Sequence, residues 1–505
     1  ATLAACLSSI ARLNYPAYET IVIDDGSIDA TAAIARNSGM RTLSLEHCGL
    51  SFARNAGIVA AHGAIVAFID ADAEADPDWL YHLVETITRR EAAAVGGGSF
   101  PPPPASDLAA ALACAPGLPR EVRIGDDELE QVCGCSMAVD KAKIGDAPYF
   151  DHAFAVAGDD VDFSWRLREQ GARIAYAPAA SVIHQPRATA GAYLRQQLGY
   201  GHAEGLLYRK YPRRTRTGSG VYGGWFRALF SSGMRVYYGA FGRGLFQTLY
   251  AGETLAPIAQ FPLTIHWVIA AGLLMIAGPF SPVFGVLGLS GIAISIATAA
   301  TAAMLAPSRQ LTMRGRIILA YLCLLGPLVR SYERTRVIWS FNPDVTGAPS
   351  PGESQWHGRL TLTVPPDSGM VAPAPERLME AVRDALIRRG AAVAVTDGYE
   401  PYDLQIRVAP LIRVPLLILE QHWELGVGWR IKPAPIALPI AAAIVIIGVL
   451  GALPLGSLPL AGAIGVIAVA AAVVLRRVRM IPALIGAAVA DAARQFGLCV
   501  TAAGR

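Results

Sequence analysis

Apolar and polar positions alternate with two different periods along the first 185 residues of this chain. Amphipathic segments of helical period are interleaved with short apolar runs of strand type, which is the pattern of a βα fold. The predicted strands cover 20–24, 41–45, 64–70, 94–97, 136–139 and 173–176. A further helix is predicted over 189–211. The pattern therefore predicts an α/β domain with a Rossmann-like sheet.

The start of the chain departs from the usual order of such a fold. Its first residues, 1–12, already have the period of an amphipathic helix, and no strand precedes them. In a doubly wound fold the first strand comes before that helix. We therefore expect that the natural protein begins before Ala1 and that the first strand is missing from this sequence.

Long uncharged segments follow the first domain. Residues 254–308 carry no formal charge, which suffices for two membrane spans at about 20 residues each. The shorter apolar stretch 317–329 is flanked on both sides by arginine, which favours an interfacial or re-entrant helix over a full span. Residues 433–475 are again uncharged, and Pro454 and Pro459 divide them into two short spans. The pattern thus predicts four spans.

The charged segments between and beyond these spans complete the domain division. Residues 331–432 regain charge and alternate strand and helix patterns, so they are expected to form a small α/β insert. The division is 1–215 for the first domain, 216–253 for a juxtamembrane linker, 254–330 for two spans plus the interfacial helix, 331–432 for the insert, 433–475 for two spans and 476–505 for an amphipathic helix and tail. Basic residues cluster before the first span, after the second and after the fourth, which places every soluble part in the cytoplasm.

Composition agrees with a protein that is partly embedded in lipid. Of the 505 residues 53% are hydrophobic and 16% are charged, and the mean hydropathy is +0.39. The hydrophobic fraction is higher, and the charged fraction lower, than the averages for soluble globular proteins. The net charge of +3 is too small to indicate nucleic acid, and no zinc-finger or RNA-binding signature accompanies it. The seven cysteines form no C-x-x-C pair, so reduced thiols in a cytosolic setting are expected.

Two pairs of carboxylates follow predicted strands. Asp70 and Asp72 come directly after the third strand, and Asp24 and Asp25 come at the end of the first. Ligands gather at the carboxyl edge of a parallel sheet, so both pairs are expected at one edge, where they could hold a divalent cation. The alternatives are a solvated acidic turn for the first pair and an Asx-type turn with a helix cap for the second. A calcium loop is excluded because Ala75 occupies its glycine position.

Four further segments contain residues that could bind a ligand or take part in catalysis, and each also has a purely structural explanation. Arg54 could reach a phosphate or position the acidic loop, or be a surface arginine of its helix. The small residues 134–138 suit close approach of a substrate or tight packing. Asp159 and Asp160 open a predicted helix, whose amino terminus stabilises acids in any case. His184 ends an apolar run and could ligate metal, although a lone histidine is more often structural.

The order of these segments resembles that of a known family. Between residues 22 and 184 the chain contains, in sequence, Val-Ile-Asp-Asp-Gly-Ser, Ala-Arg-Asn-Ala-Gly, Phe-Ile-Asp-Ala-Asp, Gly-Asp-Asp-Val-Asp-Phe-Ser-Trp-Arg-Leu and Val-Ile-His. Residues 1–187 are similar to family 2 glycosyltransferases of the GT-A fold. The resemblance implies transfer of a sugar from a nucleoside-diphosphate donor with inversion at the anomeric carbon.

The resemblance also implies roles for single residues. It implies contacts to the nucleotide sugar by Asp24, Asp25, Arg54 and Asp70. It implies a site for Mg²⁺ or Mn²⁺ formed by Asp72, Asp70 and His184. It assigns the catalytic base to Asp160, with Asp159 at a position where relatives usually carry Glu and expected to tune its neighbour. It places on the acceptor side Gly134, Cys135, Ser136, Gln196 and Gln197.

Processive members of the family carry Gln-x-x-Arg-Trp after the base, whereas this chain has Gln196-Gln197-Leu198-Gly199-Tyr200 there. We therefore expect transfer of one sugar, or few, to a membrane-borne acceptor such as a lipid-linked sugar or an envelope glycan. The expected location is the inner membrane, with several spans and the catalytic domain in the cytoplasm. The alternatives are a processive polysaccharide synthase and a catalytically impaired membrane scaffold that keeps the fold.

Overall fold

The computed structural model describes most of the chain in two compact units. The described residues are 2–117, 122–123, 126–145, 149–211, 262–279, 281–306, 310–340, 343–346, 357–365, 373–395, 403–409, 412–421, 424–433 and 458–502. The first unit holds the described residues up to 206 with 262–278 and 283–334, and the second holds 335–502 with two short flanking pieces. The expected linker 216–253, the beginning of the first span and most of the third span lie outside the described residues.

The first unit begins with a βα domain. Its helices and strands are α1 (Thr2–Ile10), β1 (Ile21–Asp24), α2 (Thr31–Asn37), β2 (Arg41–Ser44), α3 (Leu50–Ala60), β3 (Ile65–Ile69), β4 (Ala73–Ala75), α4 (Trp79–Arg89), β5 (Ala94–Phe100), α5 (Asp107–Cys114), β6 (Val122–Arg123), β7 (Leu129–Gln131), β8 (Ser136–Asp140), α6 (Asp159–Glu169), β9 (Ile174–His184) and α7 (Ala190–Lys210). All six strands predicted from the pattern are present, with boundaries shifted by a few residues. The prediction of an α/β domain is confirmed.

The expected single parallel sheet is wrong. Strands β1 and β2 form a parallel pair of their own, and a separate five-stranded sheet has the order β3-β8-β5-β9-β4. This second sheet is mixed, because β8 returns antiparallel between β3 and β5 while β5 and β9 run parallel. Asp24 and Asp70 therefore end strands of two different hydrogen-bonded sheets.

Strand β9 is longer than the pattern predicted. The predicted strand 173–176 and the apolar run that ends at His184 are one strand of 11 residues. Its pairing with β5 shifts between Gly97, opposite Ala177, and Gly98, opposite Ser181, so the three residues between them form a bulge. The bulge accommodates Pro178, which has no N–H to donate. It lets one strand continue from the core to the edge that carries His184.

Alternating side chains of β8 join the two faces of this sheet to different halves of the core. Met137 and Val139 pack with Phe150 and Phe163 on one face, whereas Ala138 packs against α4 on the other. This is the period of two expected of a strand buried on both sides. Burying each large apolar side chain stabilises the fold by about 1.5–3 kcal/mol. The edge of the sheet is thus held by a well-packed core.

Three apolar helices follow in the first unit: α8 (Ile265–Ile276), α9 (Pro282–Leu305) and α10 (Met313–Trp339). By length and composition, α9 and residues 313–338 of α10 could each cross a membrane, with mean hydropathies of 2.0 and 1.2. The interfacial helix predicted at 317–329 is thus the middle of a 27-residue helix. Its apolar side packs on α5 and α7, where Leu319 and Leu322 share a core cluster with Tyr193.

A buried ion pair fixes α10 to α7. Arg330 donates from Nε and Nη2 to Oε1 of Glu204, at 3.0 and 2.6 Å, and Arg334 donates to Oε2 at 3.2 Å. The Arg330 guanidinium also lies 5.2 Å from the ring centre of Tyr200. Because desolvating the charges of such a pair is costly, the pair contributes little to stability, but it favours one packing arrangement of the two helices over others. The pair therefore sets how α10 lies on the amino-terminal domain.

The second unit is built on an antiparallel sheet. Its elements are β10 (His357–Thr363), α11 (Pro375–Arg388), β11 (Ala392–Val395), β12 (Leu404–Ala409), β13 (Ile412–Gln421), β14 (Glu424–Arg430), β15 (Lys432–Pro433), α12 (Leu458–Gln495) and β16 (Cys499–Ala502). The strand order is β11-β12-β13-β14-β10-β16, with β15 beside β13. Side chains of both helices, including Leu386 and Ile485, fill one core on the sheet.

This arrangement differs from the expected boundary at 432. The last strand, β16, pairs with β10, and the carboxyl-terminal half of α12 packs against α11. Arg389 also donates two hydrogen bonds to the Asp491 carboxylate, at 2.7 and 3.1 Å. The segment 476–502, expected to be a separate helix and tail, completes the α/β insert. Helix α12 itself runs without a break through 476, where the last span was expected to stop.

Candidate active site

Three potential metal ligands meet where β3 and β9 end and β4 begins. Asp70 follows β3, Asp72 precedes β4, and pairing of β4 with β9 sets Ala73 opposite His184. The Nε2 atom of His184 lies 3.1 Å from Asp72 Oδ1 and 3.8 Å from Asp70 Oδ2. One ligand atom of each residue lies within 4.8 Å of the other two. The sequence predicted this cluster, and the structure brings its three members together.

The cluster fits a divalent cation. His184 is 7% exposed, and its Nε2 atom has no hydrogen-bond partner of acceptable geometry although two carboxylates lie beside it. A buried polar atom of this kind needs a partner. Two carboxylates and one imidazole form a mixed oxygen and nitrogen donor set, which suits a divalent cation of the first transition row or Mg²⁺. The solvated acidic turn considered from the sequence does not explain the buried histidine.

The charges in the cluster shift the pKa of its members in opposite directions. Burial raises the pKa of Asp72, but the adjacent imidazole of His184 and the charge of Arg187 outweigh it and hold the pKa below its ordinary value. Burial would lower the pKa of His184, but Asp72 and its neighbours raise it. The two side chains therefore form an ion pair when no cation is bound, and a cation must displace a proton.

Arg54 lies behind the cluster rather than on the surface. It is 8% exposed, donates to Asp159 Oδ2 at 2.6 Å, and its Nη2 atom lies 3.6 Å from Asp70 Oδ1. A Cβ atom at residue 134 would lie 2.7 Å from the guanidinium carbon, so only Gly134 leaves room for this side chain. The interpretation as a surface arginine is wrong. The contacts agree with the alternative in which Arg54 positions the acidic residues.

Two adjacent acids at the start of α6 lie in different surroundings. Asp159 is 1% exposed, and burial together with Asp160 outweighs Arg54 and raises the pKa of Asp159 to about 6. Asp160 is half-buried, and its two oxygens accept hydrogen bonds from the N–H of Val161 at 2.8 Å and of Gly134 at 2.9 Å. Gly158 precedes them with φ of +83°, a conformation that favours glycine. Asp159 is thus fully buried, whereas Asp160 is only partly buried.

Asp24 and Asp25 organise the loops after β1 and β2. Asp24 accepts a hydrogen bond from the N–H of Ser27 at 3.1 Å, which is the expected Asx-type turn. Asp25 accepts from the N–H groups of Cys48 and Gly49, both at 2.8 Å. Within the described ranges no hydrogen bond or ion pair joins either acid to the Asp70 cluster. Their predicted contacts to the nucleotide stay a prediction.

The small residues before and in β8 pack tightly. Cys133 and Cys135 are buried with their sulfur atoms 3.3 Å apart, and Ser136 accepts a hydrogen bond from Trp79 Nε1 at 3.0 Å. Gly134 between the cysteines donates to Asp160. Tight packing therefore accounts for Cys135 and Ser136, whereas Gly134 takes part in the site through its backbone. The C-x-C spacing was the signal in the sequence that could have shown the sulfur contact.

Helix α7 flanks the same region. Gln196 donates to the Tyr200 oxygen at 3.0 Å. Gln197 is 1% exposed, and neither polar atom of its amide has a hydrogen-bond partner among the described residues. Burial raises the pKa of Tyr200, to which the charges of Cys133 and Asp160 add. Tyr200 was not singled out from the sequence as a site residue.

Arg187 was also missed. It follows His184 by three residues and donates from Nη1 to Asp72 Oδ2 at 3.2 Å. The signal was a basic residue directly after the predicted histidine ligand.

Comparisons with known proteins agree with this geometry. The family model for glycosyl transferase family 2 matches residues 1–110. The pre-mycofactocin glycosyltransferase of Mycobacterium tuberculosis (strain H37Rv) is 27% identical over 212 residues, which cover 39% of this chain and 43% of that protein. The poly-beta-1,6-N-acetyl-D-glucosamine synthase of Staphylococcus aureus (strain COL) is 28% identical over 207 residues, which cover 39% of this chain and 50% of that protein. The chain thus spans half or less of the length of these relatives.

A solved structure of GalNAc-T7 with UDP, GalNAc and Mn²⁺ aligns with 42% of this chain and 48% of that chain, at 15% identity and a TM-score of 0.30. That score is too low to support an argument about geometry. The family match, the relatives and the mixed sheet with its acidic edge agree with one another. The amino-terminal domain of this chain is a family 2 glycosyltransferase domain of the GT-A type.

Proposed function

We propose that the chain is a membrane-bound, cation-dependent, inverting glycosyltransferase that moves a sugar from a nucleoside-diphosphate donor to a membrane-borne or envelope acceptor. The observation that carries the proposal is the Arg54 side chain, which joins the two halves of the site. It contacts Asp70 of the cation cluster and Asp159, the neighbour of Asp160. A cation site and a partly buried carboxylate are thereby held at a fixed separation on a packed scaffold.

The cation cluster serves the leaving group. Asp72, Asp70 and His184 would hold Mn²⁺ or Mg²⁺, which when bound neutralises charge on the departing diphosphate. Imidazole favours Mn²⁺ over Mg²⁺, since Mg²⁺ prefers oxygen ligands alone. Asp70 also lies on the Arg54 side of the cluster, where it would meet the ribose of the donor.

Asp160 serves the acceptor. Each of its oxygens accepts one backbone N–H, which leaves lone pairs for the proton of an acceptor hydroxyl. Asp159 is committed to Arg54 and is closed to substrate. Single displacement with inversion needs one accessible base opposite the leaving group, whereas a double displacement would need an additional carboxylate nucleophile. The different burial of the two acids supports inversion.

The apolar helices support a membrane location. Helix α9 fits a full span. Helix α10 also has the length of a span, but its packing on α5 and α7 and its buried pair with Glu204 favour a position at the membrane surface. Together with the further spans expected from the sequence in 254–308 and 433–475, helix α9 supports an inner-membrane, multi-pass location with a cytoplasmic catalytic domain, which is part of the proposal.

The acceptor is proposed to receive one sugar or few. The named relatives include a glycosyltransferase for pre-mycofactocin and a synthase of a polysaccharide, so both modes occur among similar proteins. The absent Arg-Trp pair, replaced by Gly199 and Tyr200, favours the shorter product. A processive synthase is the second candidate, favoured by the polysaccharide synthase among the relatives.

The test is a donor screen on the protein purified in detergent. UDP-, GDP- and dTDP-sugars are supplied with Mn²⁺ or Mg²⁺, and nucleotide release and the anomer of the first product are followed by NMR. We expect release with one donor class, its loss in EDTA and an inverted anomer. A retained anomer would contradict the inverting mechanism. If no donor is turned over when membrane extract is supplied as the source of acceptor, the enzyme proposal fails and the non-catalytic scaffold is favoured.

A further inference from the structure

Arg187 lies on the rim of the cation cluster and is neither a candidate cation ligand nor one of the two acids at the start of α6. It follows β9, and its Nη1 atom donates to Oδ2 of Asp72 at 3.2 Å. Its side chain is 42% exposed, whereas His184, three residues earlier, is 7% exposed. The arginine thus points from solvent toward the same carboxylate that a cation would bind.

The charges of the site call for a second positive group. A nucleoside diphosphate brings about two to three negative charges, and one divalent cation is already shared with Asp70 and Asp72. Arg54 is buried and committed to Asp159 and Asp70. Among the arginines with described contacts to the cluster, Arg187 is the exposed one. A guanidinium matches two phosphate oxygens in a way that a solvated lysine does not.

We propose that Arg187 binds the diphosphate of the donor after the cation has displaced it from Asp72. This inference rests on the proposed function. Before ligands bind, Arg187 pairs with Oδ2 of Asp72, while Oδ1 of the same carboxylate faces His184. With a cation held by that carboxylate, Arg187 would be free to form a charge-assisted contact with the diphosphate.

This exchange of partners predicts opposite effects on two ligands. Removing the guanidinium removes a competitor for Asp72, so a cation alone should bind more tightly. The same change removes a partner of the diphosphate, so a nucleotide should bind more weakly. A surface ion pair without function would produce neither effect, because such pairs contribute little.

The experiment measures Mn²⁺ alone, and then UDP and GDP at saturating Mn²⁺, by isothermal titration of the full chain in detergent. In Arg187→Gln we expect Mn²⁺ to bind about threefold more tightly and the preferred nucleotide about 10- to 100-fold more weakly. Arg187→Lys should recover part of the nucleotide affinity. The matched control is Arg173→Gln at the opposite end of β9, where a similarly exposed arginine pairs with Asp127 and should leave both affinities unchanged.

The outcomes separate the two proposals. If wild-type protein binds Mn²⁺ and a nucleotide but Arg187→Gln binds that nucleotide equally well, the role of Arg187 is wrong and the proposed function stands. If Arg187→Gln weakens Mn²⁺ and nucleotide alike, the arginine supports the loop rather than exchanging partners, and the inference is also overturned. If wild-type protein binds no nucleoside diphosphate in the presence of Mn²⁺, the proposed function itself fails.

Discussion

The two compact units of this protein treat charge in opposite ways. The first buries ionised side chains together, at the edge of its five-stranded sheet and between α7 and α10. In the second, the buried polar residues of the described part are Thr361 and Gln405, both uncharged, and the ion pair of Arg389 lies at the side of the helices. Buried charges are costly to desolvate and tend to cluster at functional sites, so they indicate that the candidate site lies in the first unit. In its described part, the core of the second unit is built from apolar side chains.

The largest effect that would test this contrast concerns Asp72. Asp72→Asn should lower cation-dependent transfer below about 0.1% of wild type, because an amide cannot supply the negative charge that holds the cation. The protein should stay folded, as the residue lies at the rim. Transfer and melting temperature are measured together, with Asp76→Asn, an exposed acid four residues further on, as control. Substantial transfer by Asp72→Asn would remove the cation from the mechanism.

Asp160 comes next. Asp160→Asn should lower kcat by about 10²- to 10⁴-fold with little change in donor affinity, which is the usual contribution of a general base. Steady-state kinetics and donor titration measure the two quantities. Asp140→Asn, an acid at the far end of β8, is the control and should retain full activity. If Asp159→Asn proves more damaging to kcat than Asp160→Asn, the roles of the two acids must be exchanged.

Asp159 should act on stability more than on catalysis. Asp159→Asn leaves the buried Arg54 cation without its closest partner, which should lower the free energy of unfolding by about 3 kcal/mol. Thermal unfolding followed by intrinsic fluorescence measures the loss. Asp162→Asn is the comparison, since Asp162 is buried in the same helix but its partner Arg166 is partly exposed, so the loss should be smaller. Equal losses would contradict the prediction that the buried Arg54–Asp159 pair matters more for stability than the partly exposed Asp162–Arg166 pair.

A pH titration tests the pairing of His184 with Asp72. The folded pKa of His184 is raised, so the imidazole is protonated below and somewhat above its ordinary value of about 6.5. A cation needs the neutral ring, so affinity for Mn²⁺ should rise up to about tenfold per pH unit as pH increases toward that raised pKa and then level off. Titration calorimetry between pH 5.5 and 8.5, values chosen around that pKa, measures the slope. A flat profile would show that His184 is not a ligand.

The smallest effect is expected in the second unit. Arg389→Ala removes the hydrogen bonds to Asp491 and should lower the free energy of unfolding by only about 1 kcal/mol, because the pair is partly exposed. The melting temperature should fall only slightly. Cation binding and transfer should not change. A loss of transfer equal to that of the active-site variants would abolish the contrast between the units.

The parts of the structure that a linear pattern records were predicted well. Strands β3, β5 and β8 are continuous apolar runs, and the cation cluster follows because its acids come directly after such a run. The resemblance added His184, which lies more than 110 residues from Asp72. Periodicity and motif order therefore sufficed for the scaffold and its most acidic edge.

The parts that depend on distant partners could not be predicted. The helical position of Arg54 left open whether it contacts a phosphate, positions the acidic loop or lies on the surface, because its partner Asp159 is 105 residues away. Likewise, nothing local to 433–475 shows that α12 continues into the core of the second unit. Charge marks where a span can end, but whether a helix ends there is decided by what it packs against.

The length of α12 has a geometric consequence. Its 38 residues, at about 1.5 Å each, make a helix about 57 Å long, nearly twice the thickness of the hydrocarbon layer of a bilayer. When its apolar segment 458–475 lies in that layer, the remaining 20 residues reach only about 30 Å beyond it. In the membrane-bound protein proposed above, the sheet packed on those residues would therefore lie within about 30 Å of the hydrocarbon layer.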